Sequence, residues 1–334
     1  MRKVPINILI LVCSLFVFNK RSALAQNSRA RQSDPQTQRQ HIIRKLNKQN
    51  RTVCTWDTPK QEVTVYWVNL EESVRRRRSF ERHLHEVGFR HLRIHALTPN
   101  EYNIDVACHS KSPKEIACLI SHLYAIHVAV YDTTPVSSKG KYALIVEDDV
   151  RFQFNVDFEK MADAAPSDFA ILQIVTSQDY YVGQLWRKYI ESSELWTKRK
   201  WDDSYWSTQG YLINKKNIKD FIDKVVQIDD QGNVKFHLMT NLIRSKCMSG
   251  CVMPFCLAAD TFVYNNAGPC YTSNIPLLNG VVSGYNSTIH TKDHKSHNKA
   301  FQVIDAVVLQ AKTGNKSLPS YMSIPKCVSR FEFI

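Results

Sequence analysis

Three consecutive carboxylates, Glu147, Asp148 and Asp149, follow directly on the apolar run Tyr142-Ala-Leu-Ile-Val146. Adjacent anions repel one another, so the triplet is costly unless something cationic neutralises it. Carboxylate oxygens are hard ligands, and Mg²⁺ or Mn²⁺ is the cation they suit. A diphosphate needs the same ion and is the natural companion of such a site. Asp149 and Glu147 are the candidate metal ligands, with Asp148 beside them. Taken alone, the triplet reads better as an acidic turn in solvent after a strand, and the rest of the chain shifts that balance.

A run this short, rich in aliphatic residues, suits a strand buried on both faces of a sheet. The carboxylates then stand at its carboxyl end, where open α/β sheets bind ligands. Upstream, residues 63–68 read as a strand. A helix capped by Ser73 follows to about Val87, burying Phe80, Leu84 and Val87. Residues 91–97 form a second strand, and this order predicts an α/β domain with a parallel sheet. Residues 115–131 are helical, with Ile116, Leu119, Leu123, Ile126 and Val130 on one face. Cys118, His122, Ala125 and Ala129 line a second face that can approach a sheet closely. Residues 170–175 and 211–213 read as strands and 217–226 as a helix. The last hundred residues carry Asn-, His- and Pro-rich segments that read as loops closing over a site.

Several further residues could join the chemistry. Arg76 and Arg77 precede Phe80 by four and three positions and share its inward side. An inward guanidinium needs an anion, such as a diphosphate or a carboxylate. Arg75 and Arg78 fall on a solvated face. His122, with Ser121 and Glu115, reads as structural support, with contact to a ligand as its other role. His290, His294 and His297 have spacing that reaches a metal, but their surroundings read as a solvated loop, and only His290 is kept as a candidate ligand. Tyr180, Tyr181, Trp186, Tyr189, Trp196, Trp201, Tyr205 and Trp206 crowd one stretch. They form either an aromatic mini-core under a long loop or a platform for sugar rings.

Composition narrows the class. The 334 residues are 43% hydrophobic, enough to bury a full core, and the formal net charge is +13. Residues 1–53 hold 11 Lys/Arg against Asp34, a net of +10, leaving 13 − 10 = +3 for the remainder. The basicity belongs to the amino-terminal segment, which argues against a nucleic-acid partner. Residues 5–18 are apolar behind Arg2-Lys3, short of the roughly 20 residues of a full span and within signal-peptide range. Ala23-Leu24-Ala25 supplies a small-x-small cleavage pattern. Residues 1–25 therefore read as a signal peptide or short membrane anchor, 26–60 as a disordered basic stem, and 61–334 as the folded domain. Acceptor tripeptides at Asn50, Asn286 and Asn315 agree with a secretory lumen, endoplasmic reticulum or Golgi. Beyond Cys13 lie eight cysteines, an even number that points to disulfides of undetermined connectivity.

Taken together, the motifs resemble a known family. Asn69-Leu-Glu-Glu-Ser73 with Arg76-Arg77 resembles the opening motif of glycosyltransferase family 25, which includes bacterial lipooligosaccharide and animal collagen galactosyltransferases. Lys114-Glu-Ile-Ala-Cys-Leu-Ile-Ser-His-Leu123 is similar to its second motif, with Lys114 and Ala117 where glycines are usual. Ala143–Val150 resembles its acidic motif, Thr208–Ile213 a later strand, and Asp260 the isolated aspartate that follows. The resemblance implies a GT-A-like nucleotide-sugar-binding fold, α/β, with a mostly parallel central sheet flanked by helices. It implies a metal-dependent inverting transfer of a hexose, galactose by resemblance, from a UDP-sugar to a hydroxyl of a glycan or glycoprotein. Mn²⁺ or Mg²⁺ would sit on the donor diphosphate. The expected donor-binding set is Asn69, Arg76, Arg77, Glu115, His122, Glu147 and Asp148, with Asp260 as the acceptor's base. Two rivals are a catalytically inactive carbohydrate-binding relative and a metal-dependent phosphohydrolase. The second would need more carboxylates at strand ends, and Asp260 is the one obvious extra.

Overall fold

The computed structural model describes residues 53–56, 62–101, 112–134, 140–200, 205–230, 234–237, 257–280, 294–314 and 316–328. The elements that matter are β1 (Thr64–Asn69), α1 (Val74–Val87), β2 (His91–His95), α2 (Pro113–Tyr131) and β3 (Tyr142–Glu147). There follow β4 (Ile171–Gln173), α3 (Asp179–Ser192), β5 (Trp196–Lys198), β6 (Gly210–Asn214) and α4 (Lys215–Val225). The last are α5 (Ala259–Asn266), β7 (Cys270–Ser273) and α6 (His294–Thr313).

The seven strands form one sheet in the order β2-β1-β3-β6-β4-β7-β5. β1 runs parallel to both β2 and β3, and β7 runs parallel to β4. β6 is antiparallel to its neighbours β3 and β4, and β5 is antiparallel to β7. Five of the seven therefore point one way. The fold is α/β with a mostly parallel central sheet, as expected. The carboxyl ends of β1, β3 and β4 share one edge, and the chain enters β6 from that same edge.

Alternation along the strands divides the core between two layers of helices. Val65, Trp67, Leu144, Val146, Leu172 and Leu212 pack with residues of α1, α3 and α6. Tyr66, Val68, Ala143, Ile145, Tyr211 and Ile213 pack with residues of α2, α4 and α5. A strand covered on both sides has no polar face, which is why β3 is an unbroken apolar run.

Local signals explain the long helices. Ser112 and Glu115 form a reciprocal capping box at the start of α2, with Pro113 in its first turn. α1 buries Phe80, Leu84 and Val87 as its spacing predicts, together with His83, and ends at Gly88 in the left-handed region, φ 89°.

The structure corrects three expectations. Val53–Thr55 is already a strand, antiparallel to Lys326–Val328, inside the stretch read as stem. Trp56 anchors it, buried edge-on against His83. The aromatic stretch read as a long loop contains α3, which buries Trp186 and Tyr189 against α6. The carboxyl-terminal region read as loops contains α6 itself, whose Ala300, Ile304, Val307, Val308 and Ala311 are buried at helical spacing. The leader, residues 26–52, the three glycosylation asparagines and His290 lie outside the described residues. Among those described, no helix is long and apolar enough to cross a membrane.

His83 gives the fold a pH dependence. It accepts the Phe152 N–H at 3.0 Å and stacks on that ring. Burial, helped by the Arg151 charge, pushes its pKa down to about 3. The unfolded chain takes up this proton first, so stability is lost as pH falls from about 6.5 toward 3. Between pH 7 and 5, wild type should lose about 2 kcal/mol more than His83→Gln in urea unfolding. Equal losses in the two proteins would exclude His83 as the cause.

Candidate active site

The alternation that builds the core also separates the three carboxylates. Glu147 continues the Ala143, Ile145 series and faces α2. Thr208, just before β6, donates its hydroxyl to Glu147 Oε1 at 2.8 Å, and His122 Nε2 lies 3.5 Å from the same oxygen. The other ring nitrogen of His122 is 3.0 Å from the Tyr211 hydroxyl. With that hydroxyl donating to Nδ1, Nε2 carries the proton that faces Glu147, a tautomer assigned from the network. Burial pushes Glu147 up, but His122, Thr208 and Arg76 outweigh it and hold the carboxyl below its usual range. His122 is only 1% exposed. It supports Glu147 from beneath and does not line the open side.

Asp148 is held from the α1 side. Asn69, at the end of β1, donates its amide to Asp148 Oδ2, and Arg76 Nε lies 3.3 Å from that oxygen. Arg93 on β2 fixes the amide's orientation by donating to Asn69 Oδ1 at 3.0 Å. Burial nevertheless pushes Asp148 up to about 6, against the pull of Arg76 and Asn69. Asp149 has less support, since its nearest cation is Arg76 NH1 at 3.8 Å. Burial, then the charges of Glu147 and Asp148, push it up to about 7. Its Oδ1 is buried without a hydrogen-bond partner.

That orphaned oxygen tests the expected metal. Among the described residues no three His, Cys, Asp or Glu side chains converge as a ready cation cage. Mg²⁺ and Mn²⁺ do not need one, because they are usually held by one or two carboxylates plus substrate phosphates. Asp149, with hard oxygens and an unsatisfied lone pair, fits that smaller role, and Glu147 flanks it. His290, the third expected ligand, lies outside the described residues.

The remaining candidates are placed differently. Arg77 points away from Arg76 and donates to Glu71 Oε1 at 2.8 Å, while Arg93 reaches Glu71 Oε2 at 2.5 Å. Arg77 first, then Arg93, lowers the Glu71 carboxyl to about 2. Neighbours on a helix are separated by 100°, so two consecutive arginines cannot serve one anion equally. Glu115 is engaged by the helix start, where Oε2 accepts the Ser112 N–H and hydroxyl at 3.0 Å each. Asp260 lies half-buried in the first turn of α5, accepting the Ser207 N–H at 3.2 Å and the Thr261 N–H at 2.8 Å. Of the cysteines, Cys118 and Cys270 are free, so the even count does not translate into full pairing. Burial and the nearby Glu147 and Asp260 push the Cys118 thiol well up, which keeps it protonated.

Sequence reasoning assigned no role to Thr208 or Ser207. Thr208 belongs to the family-like segment Thr208–Ile213, but its contact with Glu147 spans 61 positions. Ser207 is a buried non-glycine residue with φ 142°, a backbone state costing of order 1–3 kcal/mol. Its carbonyl accepts the Tyr264 hydroxyl at 2.7 Å and the Gln173 amide at 3.2 Å, and its own hydroxyl accepts the Gln209 N–H at 3.1 Å.

The two arginines should separate in stability. Arg76→Ala leaves buried carboxylates without their counter-charge and should cost about 3 kcal/mol in urea unfolding at pH 7.5. Arg77→Ala removes a pair to an exposed glutamate and should cost less than about 1 kcal/mol. Equal losses would contradict this assignment of partners.

No curated protein matches the chain. Two solved structures show a distant likeness. The mannosyltransferase Ktr4p from S. cerevisiae is 11% identical over 58% of this chain and 69% of that chain, with a TM-score of 0.26. Mouse xyloside xylosyltransferase 1, apo form, is 13% identical over 49% of this chain and 58% of that chain, with a TM-score of 0.27. The chain thus spans less than two thirds of the mouse protein. The profile of glycosyltransferase family 25 (LPS biosynthesis protein) matches residues 62–234, which is 173 of 334. That interval runs from β1 through the acidic end of β3 to β6 and α4, and the chain belongs to glycosyltransferase family 25.

Proposed function

We propose that this glycosyltransferase is metal-dependent and inverting, moving a hexose from a UDP-sugar to a hydroxyl of a glycan or glycoprotein. Galactose is the sugar the family resemblance favours. The observation that carries the reading is the buried, unpartnered Oδ1 of Asp149 at the end of the central strand. A carboxylate oxygen in that position is a liability in a protein without a ligand and an asset in one that binds a cation.

Each residue then has a task. Departure of the diphosphate from the sugar builds negative charge on phosphate oxygens. Bound Mn²⁺ or Mg²⁺ would supply the stabilising charge for that leaving group. Asp149 and Glu147 would hold the ion. Glu147 is kept ionised for this by His122 and Thr208. Asn69 and Arg76 hold Asp148, and Arg76 is the guanidinium best placed to face a diphosphate. Inversion needs one base. Asp260 accepts two backbone N–H groups and, at 3.5 Å, the Thr261 hydroxyl, and keeps lone pairs with which to take the acceptor's proton. The acceptor oxygen bonds to the anomeric carbon as the bond to the diphosphate breaks.

The amino-terminal segment would deliver the domain to the secretory lumen, by a cleaved signal or a membrane anchor. Mass loss on treatment with a glycan-removing amidase, after expression in eukaryotic cells, tests that. A cytosolic protein with no mass change would refute it.

The metal assignment predicts that Asp149→Asn abolishes transfer with the fold intact. EDTA should stop wild type, and Mn²⁺ should restore it. Turnover near wild type for Asp149→Asn at saturating Mn²⁺ would sink the assignment. Loss of one charge-assisted contact in Arg76→Ala should weaken UDP binding by about 10- to 100-fold in calorimetry. Asp260→Asn should leave UDP affinity unchanged while turnover falls about 10²- to 10⁴-fold. Lost UDP affinity in Asp260→Asn would move that residue into the donor site instead.

A further inference from the structure

Part of the aromatic crowd between residues 180 and 206 has a structural explanation. Trp186 and Tyr189 are buried and hydrogen-bonded to Gln310 and to the Ser317 carbonyl. Four rings do not fit that account. Tyr180 is 64% exposed and Trp206 is 45% exposed. Tyr181 stands edge-on to both Tyr180 and Tyr205, with centroids 5.3 Å and 4.9 Å away. Arg199 lies 5.5 Å from the Tyr205 ring centroid and donates to the Tyr205 carbonyl at 2.7 Å, fixing that ring from behind. Tyr180 is held by the Gln184 amide, which donates to its hydroxyl at 2.7 Å, and still faces water.

The backbone ties this cluster to the acidic centre. The Trp206 carbonyl accepts from Ser177 N and from the Thr176 hydroxyl, at 2.8 Å and 3.0 Å, in the turn that leads from β4 into α3. The next residue is the strained Ser207, pinned by Asp260, Tyr264, Gln173 and Gln209. The one after that, Thr208, holds Glu147. A strained residue fastened by several bonds marks a place where function dictates the chain's path. Here the turn leaves Trp206 exposed and brings Thr208 in to Glu147 within three positions. The site is thereby divided. Polar and charged contacts of Asn69, Arg76, Glu71 and Arg93 lie on the β1 and β2 side, and aromatic rings lie on the β4 side.

We propose that Trp206 and Tyr180, backed by Tyr181 and Tyr205, form the acceptor subsite and bind a pyranose ring of a carbohydrate. This rests on the transferase reading above and names its acceptor class. Sugar rings present faces of C–H bonds that pack on aromatic π-systems, whose negative faces attract them. Among the described residues no cation lies over these two exposed rings to hold a phosphate or a nucleotide diphosphate. Asp260, bonded to the Ser207 N–H, then lies beside the acceptor's side of the site, where a base is needed.

Methyl glycosides of galactose, glucose and N-acetylglucosamine, titrated into the full chain with UDP and Mn²⁺, test this by saturation-transfer NMR. At least one glycoside should receive saturation on its ring protons. Trp206→Ala and Tyr180→Ala should each weaken its binding about tenfold, and Trp206→Phe should restore most of the affinity. Both side chains are exposed, so melting temperatures should stay near wild type and exclude misfolding. Calorimetry with UDP and Mn²⁺ on the same proteins separates this proposal from the broader one. If wild type does not bind UDP, the donor reading fails, whereas the subsite still stands or falls on the glycosides. If UDP binds but no glycoside does, or if Trp206→Ala binds glycoside as wild type does, the subsite is refuted. Equal competition by an unglycosylated serine/threonine peptide at these rings would also overturn it, in favour of a peptide acceptor.

Discussion

The repulsion among Glu147, Asp148 and Asp149 is the constraint around which the rest of this edge is arranged. Placing three carboxylates at the end of a buried strand removes much of the water that would screen them. The fold answers each of them differently. Glu147 receives a hydroxyl from Thr208 and the support of His122 from one face of the sheet. Asp148 receives an amide and a guanidinium from the other face. Asp149 receives a longer contact to Arg76 and retains a bare oxygen. Two satisfied anions beside one unsatisfied anion is the arrangement expected of a site completed by a ligand, because a purely structural triplet would gain by satisfying all three.

Those partners also explain why the flanking elements take the positions they do. Asn69 ends β1 and Arg76 lies in the first turn of α1, so the strand-to-helix turn between them delivers both to Asp148. His122 reaches Glu147 because α2 carries small residues, Ala125 and Ala129, on the face that packs near β1 and β3. Tyr211 on β6 then fills the space behind His122 and fixes its tautomer. The antiparallel insertion of β6 between β3 and β4 has a consequence for chemistry. It brings the segment before β6, rather than a strand's carboxyl end, across the acidic edge, and that segment supplies Thr208.

How much of this was legible follows from the range of each interaction. α1, α2 and α4 announce themselves by apolar spacing, which is a property of the local chain, and β3 by a run too apolar for any exposed face. α6 had the same spacing in Ala300, Ile304, Val307, Val308 and Ala311, but its polar amino-terminal turn follows an Asn- and His-rich stretch that reads as loop. α3 was hidden by its tyrosines and tryptophans, which fit a strand or a loop as well as a helix. At the site, the acidic triplet was visible because its chemistry lies in consecutive residues. The division of labour between Arg76 and Arg77 was not, since both precede Phe80 and only the positions of Glu71 and Asp148 in space distinguish them. The role of Thr208 was not legible, because nothing in the sequence around it refers to Glu147.

Ser207 shows the same limit from the side of backbone conformation. A serine has no composition signal for φ 142°, and glycine would be the expected choice. What makes serine tolerable is the surrounding over-determination: one bond from its N–H, two to its carbonyl and two at its hydroxyl, with residues on β4, α5 and the turn before β6. Glycine could adopt the angle without strain but would lose the hydroxyl that accepts the Gln209 N–H. The turn would then have fewer bonds to fix where Thr208 begins. The strain therefore accompanies a gain in definition, and that gain falls on the residue that holds Glu147. Position, rather than stability, is what this stretch of backbone secures.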